Sequence, residues 1–201
     1  MSDLVQSPHP AMEPEPPGLQ ERNHWVGARL LVSSTVFLFL PFVFAYVYLA
    51  SLNTSGLWRP DHITAPVGWG IAIMVAVVVC AGLVAWARSE LAQGKDASSR
   101  RLALVALIVG LLAVVLQVVE YARLDFGPTD GGFASVFVGW SGLFAVTVLV
   151  AMIWLEVTVA SAYRNGSRAA SSSRSDLDNV AFYLTFLAGL GALTFAFLYL
   201  F

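Results

Sequence analysis

Three polar residues that could form a buried hydrogen-bonding group stand near the end of an apolar stretch. Gln117, Glu120 and Tyr121 are spaced i, i+3 and i+4, so on a helix they share one face. An amide, a carboxyl group and a phenol on one face can hydrogen-bond to a neighbouring helix or loop. No nucleophile–base pair accompanies them, so the pattern indicates a polar packing contact and not a catalytic site.

The two acids inside apolar stretches also have a simpler interpretation as hydrated groups at the membrane boundaries. Glu120 follows Arg101 by 19 residues, a helical rise of about 28 Å. Glu156 follows Phe133 by 23 residues, a rise of about 35 Å. The two carboxyl groups would then lie near opposite interfaces. The sequence therefore predicts no ionisable group at mid-depth, where proton relays and ion paths usually lie.

Metal, disulfide and nucleic-acid chemistry find little support in the sequence. Cys80 is the single cysteine, which excludes a disulfide framework or a cysteine cage within the chain. His9 falls in the N-terminal segment, His24 at the start of the first apolar stretch and His62 in a loop. No two of the three histidines are therefore expected to face a common interior. The net charge of −2 gives no basic excess for nucleic acid. We expect no catalytic, cofactor-binding or metal-binding residue in this chain.

The elements that must position these residues are membrane spans. Hydrophobic residues make up 58% of the chain and charged residues 12%, whereas soluble domains carry roughly 25% charged residues. A helical span needs about 20 apolar residues. The fold class predicted is an all-α integral membrane protein with five transmembrane helices, at approximately Trp25–Leu52, Gly68–Trp86, Leu102–Tyr121, Phe133–Tyr163 and Val180–Phe201.

Charge and composition divide the chain and orient it. Residues 1–23 contain five prolines and are predicted to be a disordered cytoplasmic tail, with residues 24–201 forming the five-helix bundle. The predicted spans place nine Lys and Arg residues on the N-terminal side, and only Arg59 and Arg123 on the other. This asymmetry predicts a cytoplasmic N-terminus and a C-terminus at the outer face. Abundant Ala, Val and Gly with one lysine are typical of a GC-rich bacterial genome.

Small residues recur at helical spacing in the last two spans. Gly131, Ser135 and Gly139 follow one another every four residues, and Gly142 comes three residues later. Ala188, Ala192 and Ala196 repeat the spacing in the fifth span. Such seams let helix backbones approach closely in lipid. The pattern fits packing within the chain or a face against another subunit.

Residues 25–201 resemble subunit III of the haem–copper oxidases, that is, of cytochrome c oxidase or quinol oxidase. The family has a helix ending in Q-x-x-E-Y, a short outer loop, a G-S-x-F-F-like entry and a helix containing T-G-x-H-G-x-H. The matching positions are Gln117, Glu120 and Tyr121, then Ser135 with Phe137, then Ser141 with Gly142. Further likeness lies in Ser33–Phe39, in Trp58–Pro60 and in the last span from Ala181 through Tyr199. Five spans correspond to the shorter bacterial form of the family.

The resemblance implies a non-catalytic membrane subunit of a haem–copper terminal oxidase in aerobic respiratory electron transport. Such a subunit docks on the catalytic subunit and other oxidase chains and stabilises the catalytic subunit. Haem and copper would be bound by partner subunits and not by this chain, and structural phospholipid is compatible with the resemblance. The implied location is the bacterial plasma (inner) membrane, with several passes. The expected family-motif or packing residues are Gln117, Glu120, Tyr121, Ser135, Gly139, Ser141 and Gly142.

Departures from the family limit what the resemblance transfers. Thr35 stands where the family has an intramembrane glutamate, and the positions of family histidines and an aspartate hold Phe144, Thr147, Thr185 and Ala188. In the family, those polar groups are associated with holding phospholipid headgroups and with supporting proton uptake by the neighbouring subunit. Only the face formed by Gln117, Glu120 and Tyr121 carries over to this chain.

Three other functions remain open from the sequence. A small homo-oligomeric transporter or channel would need polar groups converging at mid-depth, for which the candidates are Thr35, Gln117, Ser141, Thr147 and Thr185. Hydroxyls in such spans commonly bond to their own helix instead. A nitric-oxide-reductase-associated accessory protein and an assembly factor are the remaining alternatives.

Overall fold

Five long helices account for most of the chain. The computed structural model describes residues 17–53, 56, 58–60, 63–165 and 170–201. The helices are α1 Pro17–Ser51, α2 Val67–Ala92, α3 Asp96–Tyr121, α4 Gly132–Asn165 and α5 Ala170–Phe195. A single π-helical turn, Ala196–Leu200, continues α5. All five helices are long and apolar enough to cross a membrane, which confirms the predicted all-α fold with five spans.

The helices extend beyond the predicted spans, mainly at the end that carries most arginines. Helix α3 begins at Asp96 and α5 at Ala170, ahead of the predicted starts at Leu102 and Val180. Hydropathy marks only the apolar part of a span, whereas a helix continues into the interface because its backbone groups stay paired there. The predicted ends on the opposite side lie within a few residues of the observed ones, since polar loops begin there directly.

The predicted boundary of the N-terminal tail needs a correction. Helix α1 begins at Pro17, so residues 17–23, which were assigned to a disordered tail, are helical. Proline is tolerated in the first turn of a helix, where its missing N–H has no intrahelical partner in any case. Residues 1–16 lie outside the described part of the chain.

Helices α2 to α5 form a ring, and α1 lies outside it. The closest association is between α2 and α3; α3 also packs on α4, α4 on α5, and α5 on α2. Helix α1 packs against α4 and α5. Short loops make successive helices antiparallel, so the first residues of α1, α3 and α5 share one end with the last residues of α2 and α4. We call this the basic end of the bundle, because most of the Lys and Arg residues lie there.

Close packing of the ring depends on glycine at particular positions. Gly110 of α3 faces Met152 of α4 and Cys80 of α2, and a Cβ on this glycine would overlap the methionine sulfur. Gly139 of α4 approaches the Phe42 ring of α1, where a Cβ would lie 2.8 Å from the nearest ring carbon. These two glycines therefore pack within the chain, at the α3–α4 and α1–α4 contacts.

Polar side-chain contacts join α5 to its neighbours at the basic end. The Nδ1 atom of His24 on α1 lies 2.9 Å from the Asp176 carboxylate of α5. Arg88 of α2 lies 2.6 Å from Asp178 of α5. Because these side chains are partly exposed, each pair contributes little free energy. The stability of the bundle must therefore come mainly from close helix packing and buried hydrogen bonds.

We expect Gly110→Ala to lower the free energy of unfolding by about 1–3 kcal/mol, because an extra methyl group overpacks the contact with Met152. Gly82→Ala on α2 is the matched control, since a Cβ at Gly82 meets no atom within 4 Å. Thermal unfolding in detergent followed by circular dichroism measures both variants. Equal melting temperatures for the two would contradict the close approach of α3 to α4.

Candidate functional site

A buried carboxyl group lies at the end of α3 opposite the basic end. The Glu120 side chain is 0% exposed and the Gln117 side chain 3%. The Gln117 amide donates a hydrogen bond to Oε2 of Glu120, and the Tyr199 hydroxyl donates to Oε1 at 2.7 Å. Both carboxylate oxygens are therefore bonded to protein donors. The interpretation of Glu120 as a hydrated interfacial group is wrong, because other helices cover it.

The π-helical turn at the end of α5 carries Tyr199 to the carboxylate. Its ring stacks on Phe195 with centroids 5.4 Å apart and meets the edge of Phe137 at 5.3 Å. On the other side lies Gly70 of α2, where a Cβ would come within 2.6 Å of the ring. The phenol is therefore held by α2, α4 and α5 together. Single π-helical turns are rare and frequently occur at functional sites.

Tyr121 belongs to a second, neighbouring contact. Its hydroxyl donates to the Val138 carbonyl of α4 at 3.1 Å and lies 2.7 Å from Oγ of Ser141. Gly142 leaves room for this phenol, because a Cβ there would stand 3.2 Å from its oxygen. The adjacent residues Glu120 and Tyr121 thus connect α3 to two different helices, α5 and α4.

A small cavity lies between these contacts inside the ring. Its volume is about 20 Å³, and its polar lining comes from Gln117, Ser141, Thr194 and Tyr199. The fully buried Trp140 donates from Nε1 to the Thr194 hydroxyl at 2.9 Å. About 10–15 Å³ is enough space for one water molecule. The site is therefore a polar cluster of single-water size, and it has no room for an organic ligand.

The remaining sequence-predicted residues serve packing or the loop. Ser135 is exposed, and its hydroxyl donates to the Gly131 carbonyl at 3.1 Å in the first turn of α4. Gly139 faces Phe42 of α1. The structure therefore brings together Gln117, Glu120, Tyr121, Ser141 and Gly142, whereas Ser135 and Gly139 lie apart from them.

Sequence reasoning missed three members of the cluster: Tyr199, Trp140 and Thr194. The available signal was chemical complementarity, since a buried carboxylate needs donors and Tyr199 is a phenol near the matching end of the last span. Trp140 lies seven residues after Phe133, well inside the fourth predicted span. Neither observation reveals which helices are neighbours, so the hydrogen bonds that join Tyr199 to Glu120 and Trp140 to Thr194 were not predicted.

Gln117 and Ser141 line one cavity, but the other three residues considered for a transport path do not line it. Thr147 donates to the Phe144 carbonyl at 2.7 Å and Thr185 to the Ala181 carbonyl at 2.8 Å. Thr35 donates to the Leu31 carbonyl at 2.8 Å. Each hydroxyl is therefore bonded to its own helix, as is common in apolar spans.

The chain offers little to a metal centre in its described part. Across residues 17–53, 63–165 and 170–201, no three His, Cys, Asp or Glu side chains are grouped so that they could hold a metal ion. Haem and copper need imidazole or thiolate ligands facing one site.

We expect Tyr199→Phe to lower the free energy of unfolding by about 1–3 kcal/mol, because Oε1 of Glu120 would lose its donor while staying buried. Tyr163→Phe is the matched control, since Tyr163 is 50% exposed on the surface of α4. Equilibrium unfolding in detergent compares the two. A loss no larger in Tyr199→Phe than in the control would show that the carboxylate does not depend on this bond.

Gly70→Ala tests the support behind the Tyr199 ring. The added methyl group would displace the ring, so we expect an unfolding loss of about 1–3 kcal/mol. Gly68→Ala, where a Cβ meets nothing within 4 Å, should be close to neutral. In a double-mutant cycle with Tyr199→Ala the Gly70→Ala penalty should largely disappear. A fully additive cycle would contradict the contact.

The sequence of this chain matches proteins of a known family. A family profile described as cytochrome c oxidase subunit III matches residues 20–201. Subunit 3 of cytochrome c oxidase from Latimeria chalumnae is 29% identical over 136 residues, which cover 65% of this chain and 52% of that protein. The proteins of the same name from Danio rerio and Mus musculus are 27% and 26% identical, with the same coverage. The chain spans about half the length of these curated relatives. It belongs to the cytochrome c oxidase subunit III family.

Proposed function

We propose that this protein is a non-catalytic membrane subunit of a haem–copper terminal oxidase in aerobic respiratory electron transport. It docks on the catalytic subunit and stabilises it, while haem and copper belong to the partner chains. The observation that carries the proposal is the family match over residues 20–201. The curated relatives are themselves named as subunits of cytochrome c oxidase.

The site chemistry supports a structural role. Glu120 has both oxygens bonded within the chain, and the nearby cavity has the size of one water. The family motif Gln117-x-x-Glu120-Tyr121 thus fixes α3 against α4 and α5. The alternative of a small transporter or channel receives no support from the hydroxyls, since Thr35, Thr147 and Thr185 bond to their own helices.

The proposed location is the bacterial plasma membrane, with the basic end in the cytoplasm. Arg88, Lys95 and Arg164 lie at that end, as do Arg100 and Arg101. An excess of Lys and Arg in short loops is typical of the cytoplasmic side. This orientation puts the polar cluster around Glu120 near the outer boundary of the membrane.

Lipids are the second class of partner that we propose. Large apolar side chains point outward along the described helices, among them Phe37 and Phe44 of α1 and Ile108 of α3, each more than 65% exposed. Such surfaces are stable against acyl chains or against another membrane subunit. Structural phospholipid is therefore expected between this chain and the rest of the oxidase.

Purification from native membranes tests the proposal. We expect the affinity-tagged chain to co-purify with larger chains, and the complex to show haem bands in a reduced-minus-oxidised visible spectrum. Gly70→Ala should lower the yield of that complex, whereas Gly68→Ala should leave it unchanged. A haem-free homo-oligomer of this chain from the same membranes would overturn the proposal and favour a transport function.

A further inference from the structure

Glu156 is an exposed carboxylate within the membrane-spanning part of α4. The residues beside it at spacings of three and four are apolar and also exposed. We call these residues the α4 stripe: Val146, Val150, Ile153, Glu156, Val157 and Ala160. Glu156 is thus the one charged member of an otherwise apolar face that points away from the ring.

Helix register fixes the depth of this carboxylate. Gly110 of α3 contacts Met152 of α4, and nearer the basic end the Arg100 guanidinium lies 5.5 Å from the ring centroid of Tyr163. Since α3 and α4 are antiparallel, Glu156, four residues beyond Met152, is level with Ala106. Ala106 is six residues from Arg100, or about 9 Å along the helix. The Glu156 backbone therefore lies about 9 Å inside the level of the arginines.

The direction of the side chain makes hydration at the basic end difficult. Side chains on a helix lean toward its N-terminus, and α4 begins at the end opposite the basic one. The carboxylate therefore leans toward the middle of the membrane. Long basic side chains can reach an interface from such a depth, but a glutamate leaning the other way cannot.

Nothing in the described part of the bundle compensates this charge. Among residues 17–53, 63–165 and 170–201, no hydrogen bond or ion pair reaches the Glu156 carboxylate. Ionisable side chains inside spans are costly and almost always face a protein interior or pair with one another. An exposed one on an apolar stripe therefore requires a donor from outside the residues that the structure describes.

We propose that the α4 stripe docks on a transmembrane helix of another chain in the complex, one that places a lysine or arginine against Glu156. The spacing of three and four residues fits a helix–helix seam, and Ala160 allows close approach. Charge complementarity at one point then fixes the partner's register. The inference rests on the proposed function and extends it by naming the docking face and the chemistry of its partner.

Site-specific photocrosslinking in native membranes tests the docking face. A benzoylphenylalanine at Val157, which is 59% exposed, is compared with one at Trp86 of α2, which is 56% exposed. Cys80 of α2 lies level with Met152 of α4, and the two helices run in the same direction. Trp86, six residues beyond Cys80, is therefore close in depth to Val157, five residues beyond Met152, and α2 is diagonal to α4 in the ring. We expect a protein adduct from position 157 only, on a transmembrane peptide that contains Lys or Arg by mass spectrometry.

A charge variant completes the test. Glu156→Gln keeps the size of the side chain but removes its charge, so the adduct yield at position 157 should fall roughly tenfold or more. Three results would overturn the docking proposal: adducts with lipid alone, adducts with a second copy of this chain, or an adduct yield that Glu156→Gln leaves unchanged. If haem still co-purifies with the chain in any of those cases, the proposed oxidase function is not contradicted. A Lys- or Arg-bearing adduct without haem would instead reject the oxidase function alone.

Discussion

The two hydrogen bonds to the Glu120 carboxylate are the constraint on which one end of this bundle depends. A carboxylate without water contact is stable only when its oxygens have donors. The donors come from α3 and from the π-helical turn of α5, through Gln117 and Tyr199. The Tyr199 ring in turn needs the open surface of Gly70 on α2. One buried acid therefore couples the positions of three helices.

Other polar contacts of the bundle lie at the basic end and near mid-helix. At the basic end α5 contacts α1 through His24 and Asp176 and pairs with α2 through Arg88 and Asp178. Near mid-helix the Thr35 hydroxyl of α1 lies 3.2 Å from that of Tyr183 on α5, and the middle of the ring contains apolar side chains such as Met152 and Leu187. Helix α1 packs mainly against α4 and α5. In the described part of the chain, close helix packing therefore accounts for most of the contacts between these ends.

Particular residues show how far sequence reasoning reached. Long apolar runs predicted the five helices, because a span cannot leave its backbone groups unpaired in lipid. Helicity of residues 17–23 was missed because prolines were taken as breakers without regard to Pro17 in a first turn. For Glu120 the sequence left a buried and a hydrated interpretation open, because residue counts along a helix give depth in the membrane and not the direction in which a side chain faces; the structure shows it buried.

The sequence by itself determined the five-helix membrane fold and the common helical region of Gln117, Glu120 and Tyr121, because both follow from local hydropathy and helical period. Only the tertiary structure decided that Tyr199, 79 residues away, donates to Glu120, and that Tyr121 turns instead to Ser141. Lipid-facing and packed faces of a span are equally apolar. Hydropathy therefore does not encode helix rotation or neighbour order, which long-range contacts must fix.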